Sequence, residues 1–183
     1  MTFAAEIART LRAAGFIEER TGFKSIRAFA AELDDVAQRV FFLLGSRGSW
    51  EIEAGVRHVE VESLLARVEG GPFLRNTVFV RLAAGGRDLS ADLSEEDARR
   101  LLATELSDGD IRAGEIWTGV AQGTLPTRYP EGRSTYLVLR QMALLKLAGR
   151  LNASIAEELI EACPATPRSK QNLPRLAASM IDA

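Results

Sequence analysis

The strongest constraint on what this chain can fold into is the pattern between residues 36 and 56. Trp50, Ile52, Ala54 and Val56 alternate with Glu51, Glu53 and Arg57, a period of two that gives one apolar face only in an extended strand. Upstream, residues 36–44 are dense in β-branched and aromatic side chains, and Gly45-Ser46-Arg47-Gly48 supplies a turn between the two segments. The pair predicts an antiparallel hairpin with one face buried, its first arm a central strand.

The flanking segments carry helical periodicity. Phe3, Ile7 and Leu11 recur every four residues, and Gly15 follows where a left-handed residue closes a helix, so that Phe16 folds back against Leu11. Residues 25–33 are alanine-rich enough for a helix but also alternate as a strand, which is the preferred reading, and Asp34-Asp35 is read as the turn after it. Val61, Leu64, Leu65 and Val68 predict a short helix stopped by Gly70-Gly71-Pro72, and residues 77–83 a further strand closed by Gly85-Gly86. Ser94 is an expected N-cap for a helix with Leu101, Leu102 and Leu106 on its buried stripe. Residues 134–149, 154–163 and 173–181 are read as helices, with a break at Thr166-Pro167.

The whole describes an α+β fold. An antiparallel sheet of three to five strands is packed against N-terminal and C-terminal helices, in one domain over 1–183 with a long irregular loop at 107–133. With 183 residues, 46% of them hydrophobic and 26% charged, the chain needs neither metal nor disulfide to hold a core. Cys163 is the only cysteine and reads as a buried small hydrophobe. The longest apolar run, 136–148, contains Arg140 and Lys146 and falls short of the roughly 20 residues that span a bilayer. No secretory leader is read at the N-terminus, so a cytoplasmic location without membrane attachment is expected.

The 23 basic and 25 acidic residues are intermixed and sum to −2, which gives nucleic-acid binding no support. Nearly all the positive charge is arginine, with lysine only at Lys24, Lys146 and Lys170. That bias, with abundant alanine, is associated with GC-rich bacterial coding.

Three places carry candidate chemistry. His58, the only histidine, continues the apolar face of the second arm, with Glu60 two residues on; such a pair can serve as a general base with an orienting carboxylate. No G-x-S-x-G elbow accompanies it, and a lone histidine at a strand end is more often structural. Asp108 and Asp110 flank Gly109 and offer oxygen ligands for calcium or magnesium, but without EF-hand spacing a solvated turn is the plainer reading. Trp117, Arg128, Tyr129 and Arg133 gather aromatics and guanidiniums in the 107–133 loop, a composition enriched at binding hot spots, although Trp117 also suits an anchor for that loop. No cofactor motif is present: the glycine pairs match neither the P-loop nor the dinucleotide fingerprint.

Two stretches resemble a bacterial domain-of-unknown-function family, number 4304. They are the opening helix with Gly15-Phe16 and Phe23, and the run Val40-Phe41-Phe42 through Ser46-Arg47-Gly48-Ser49-Trp50 to Ile52 and Gly55-Val56. The resemblance covers about the first third of the chain and implies an α+β fold, with no activity to transfer. The chain departs from that family's pattern by carrying Leu43 or Leu44 where its second strand has a glutamine. The expected function is a non-catalytic binding or protein-interaction domain, its partner a protein or small ligand. The alternative is a small hydrolase or transferase using His58 and nearby carboxylates.

Overall fold

The computed structural model describes residues 3–46, 49–71, 74–81, 122 and 135–183. In chain order these give α1 (Phe3–Ala13), β1 (Ile17–Glu19), β2 (Ile26–Glu32), β3 (Ala37–Ser46), β4 (Ser49–His58), α2 (Val59–Glu69), β5 (Val78–Arg81), α3 (Thr135–Leu147), α4 (Ala153–Ala162), α5 (Pro167–Lys170) and α6 (Leu173–Asp182). The α+β class read from the sequence holds: the antiparallel sheet has five strands and helices stand at both ends of the chain. The described residues divide into two compact units, one of residues 3–57 with β5, the other of residues 58–77 with 135–183. These units subdivide the stretch read above as one domain. The expected helix after Ser94, the Gly85-Gly86 turn and the 107–133 segment, residue 122 apart, lie outside the described residues.

The sheet unit follows a simple meander, β1-β2-β3-β4-β5, with β3 in the centre. β2 pairs antiparallel with β3 in a register that sets Phe29 opposite Phe41 and Ala30 opposite Val40. Between these strands the Asp34 carboxylate accepts the N–H groups of Val36 and Ala37 at 2.9 and 2.7 Å, a side chain standing in for a backbone turn. α1 lays Ala4, Ile7, Ala8 and Leu11 into one core with Phe29, Phe41, Leu43 and Ile52. Its end is built as the glycine foretold: Gly15 takes φ +90°, its N–H bonds Arg12 O at 3.1 Å, and Phe16 N–H bonds Leu11 O at 3.0 Å. These two hydrogen bonds satisfy carbonyls the helix leaves open and turn Phe16 inward. There it meets Phe41 edge to face, ring centres 5.3 Å apart.

The one-sided hairpin needs correction. Val40, Phe41, Phe42 and Leu43 are all buried, so β3 is covered on both faces. Four consecutive apolar side chains cannot all point to one side of a strand. A second surprise is β1, three residues long, paired with β2 through Ile17–Ala30, Glu18–Phe29 and Glu19–Ala28.

In the helical unit α2 packs against α3 and α6, α3 against α4 and α6, and α4 against α6. Their core joins Val61, Leu64 and Leu65 of α2 to Met142 of α3 and Met180 of α6. α2 stops at Gly70, φ +72°, whose N–H bonds Ala66 O. α4 begins one residue earlier than the sequence reading placed it, capped by Asn152, whose side chain accepts Ile155 N–H at 3.0 Å. Thr166-Pro167 is a start as much as a break: Thr166 caps the one-turn α5 and Pro167 fills a first-turn position that lacks an N–H partner anyway. Cys163 is buried in this core, as read from the sequence.

Candidate functional site

Seven polar or charged residues are buried among the described ones: Thr21, Arg57, His58, Glu62, Asn76, Thr77 and Arg140. Five of them, all but Thr21 and Arg57, belong to the helical unit and lie on or beside α2, α3 and the 74–77 segment. That concentration marks the candidate site, because buried polar groups are costly unless bonded.

α2 supplies two of its members. His58 is the last residue of β4 and the N-cap of α2, with extended backbone angles (φ −86°, ψ 112°). Its Nδ1 accepts the N–H of Val61 at 3.5 Å, and its own N–H donates to Thr77 Oγ1 at 2.8 Å. Glu62 follows one turn later, 2% exposed as a side chain, and its Oε2 accepts from Arg140 Nη2 at 2.7 Å. Arg140 is 1% exposed. Its Nη1 also donates to Tyr136 O at 3.2 Å, and its guanidinium stacks over the Tyr136 ring. The Tyr136 hydroxyl donates to Asn76 O, closing a chain of contacts from the 74–77 segment through α3 to α2.

This contact bears on the role of the histidine. An imidazole nitrogen that accepts a backbone N–H carries no proton, and in a neutral ring the other nitrogen then holds it. A general base oriented by a carboxylate uses the opposite arrangement, with Nδ1–H donated to the carboxylate. Glu60, offered above as that orienting partner, is exposed on the first turn of α2. Its position there suits the positive end of the helix instead.

Among the described residues the sheet unit holds a second buried arginine. Arg57, 1% exposed, forks onto Glu19 with Nη1–Oε1 2.8 Å and Nη2–Oε2 2.9 Å, and Nη1 also donates to Gln38 Oε1 at 3.0 Å. This is the bidentate geometry the planar guanidinium favours. Nearby in the same unit, Glu18 accepts from Arg27 Nε at 2.8 Å and pairs with Arg12. The Arg27 hydrogen bond, then Arg12, holds the Glu18 carboxyl below its ordinary range against the opposing effect of partial burial.

Asp108, Asp110, Trp117, Arg128, Tyr129 and Arg133 lie outside the described residues. Among the described residues no group of three or more His, Cys, Asp or Glu side chains is placed to hold a metal ion. Among them, too, no helix is long and apolar enough to cross a membrane. The buried cluster escaped the sequence reading, though a signal existed: Arg140 stands inside an apolar run, and Glu62 flanks the apolar stripe of α2. No protein-family model, curated protein or solved structure matches the chain.

Proposed function

We propose that this chain is a non-catalytic binding or protein-interaction domain of a bacterial protein, working in the cytoplasm on a protein partner or small ligand. The observation that carries this reading is the state of the only histidine. His58 commits Nδ1 to the N-terminus of α2, and the nearest buried carboxylate in sequence, Glu62, is engaged by Arg140. Groups already spent on holding helices together are poor acids and bases, because proton transfer would break the contacts that position them. The aromatic and arginine residues Trp117, Arg128, Tyr129 and Arg133 remain the proposed contact set. The resemblance of the first third to family 4304 belongs to the same proposal and adds no activity.

His58→Asn separates fold from chemistry, since asparagine is a strong N-cap with no titrating group near neutrality. The unchanged chain and this variant are assayed on a broad panel of ester, amide, phosphate and glycosyl substrates. The binding reading expects no turnover by either. Turnover by the unchanged chain that His58→Asn abolishes, with its melting curve intact, establishes the hydrolase or transferase alternative instead.

A further inference from the structure

α3 poses a packing problem that its apolar residues cannot solve alone. Leu137, Val138, Leu139 and Arg140 are buried in succession, and Met142 and Ala143 follow. Four successive positions sweep about one full turn at 3.6 residues per turn, so over residues 137–140 the helix is enclosed on all sides. An apolar surface of that kind has no preferred face. Rotating α3 by one residue about its axis would exchange one set of leucine, valine and methionine contacts for another of similar size. The apolar stripe of α2 gives no stronger instruction, since leucines and valines accept many partners.

We infer that the Glu62–Arg140 pair is the device that selects one rotational setting of α3 against α2. Arg140 is the one charged residue among the buried positions of α3, and its partner lies on the first turn of α2 with a 2.7 Å contact. Any other rotation would carry the guanidinium away from Glu62 and part a buried ion pair, a penalty larger than the differences among apolar contacts. Tyr136 adds to the selection. Its ring lies under the Arg140 guanidinium and its hydroxyl reaches the Asn76 carbonyl, fixing the helix at a second point one turn earlier. The pair therefore sets which packing forms, and contributes little to how stable that packing is. Single polar residues in otherwise apolar helix interfaces set register in the same way. This inference stands independently of the proposed function.

The test replaces both charges together in the full chain, as Glu62→Leu with Arg140→Met and, in a second variant, as Glu62→Met with Arg140→Leu. The two arrangements guard against a local misfit in either. At least one is expected to fold with a melting temperature no lower than that of the unchanged chain. That variant is also expected to show doubled or broadened amide resonances for α2 and α3 and faster hydrogen exchange there, as alternative rotations become populated. A single sharp resonance set with native α2–α3 contacts in either variant overturns the inference. So does the failure of both to fold, because the pair would then be supplying stability and not selection.

Discussion

Among the described residues the sheet unit and the helical unit each bury one arginine, and they treat it differently. Arg57 forks onto Glu19, whose side chain keeps 34% of its surface in contact with water. Arg140 meets Glu62, sealed at 2%. In the first case solvent can reach the carboxylate and take up charge if the partner is lost. In the second both side chains are sealed from solvent. The comparison teaches that burial of a cation says little until the exposure of its counter-charge is known.

Breaking the sealed pair on one side should therefore have the largest effect. Arg140→Met leaves the Glu62 carboxylate without its cation, and a loss of about 3–5 kcal/mol is expected from urea unfolding. Glu19→Gln removes charge from the half-open pair while Gln38 still accepts from Arg57, and a smaller loss of about 1–2 kcal/mol is expected in the same assay. Equal losses would show that access of water does not separate the two sites. Smaller again, His58→Ala should cost about 1 kcal/mol by uncapping α2, and His58→Asn should restore most of it. Thermal melts of the three proteins measure the difference.

The faintest expected effect concerns Glu18. Its folded carboxyl is held low by Arg27 and Arg12, so its contribution is complete above the unfolded value of about 4.3 and fades as pH falls through the lowered folded value. Screened as it is, the pair should be worth well under 1 kcal/mol. Glu18→Gln should destabilise slightly near neutrality and converge with the unchanged chain in acid, and 1 M salt, added as a screen with a Debye length of about 3 Å, should shrink the gap. A gap that grows on acidification would reverse the assigned sign.

Much of the frame was legible before any coordinates. Gly15 with Phe16 announced how α1 ends, the alternation through Trp50–Val56 announced β4, and Gly70 closed α2 where the apolar period stopped. Those features are local, and local chemistry is written in neighbouring residues. β1 was illegible because Ile17-Glu18-Glu19 has no alternation of its own and becomes a strand only by pairing with β2. Covering of both faces of β3 was legible in principle from Val40-Phe41-Phe42-Leu43, but the cleaner alternation of β4 was extended to it. The buried cluster was missed for a different reason. An arginine looks like surface until a glutamate some eighty positions away, 78 by count, is known to face it. His58 as a helix cap was equally hidden, since serine, threonine, aspartate and asparagine are the residues that normally announce one.

The division of the chain has one more consequence. Neither unit is an uninterrupted piece of polypeptide: residues 58–77 leave the sheet unit's sequence between β4 and β5 and belong with α3–α6. On the ribosome α2 is therefore made long before the helices that cover Val61, Leu64 and Leu65, and those side chains must wait for the C-terminus. A nascent chain halted after β5 would carry α2 without the helices that share its core, and no single truncation separates the two units cleanly.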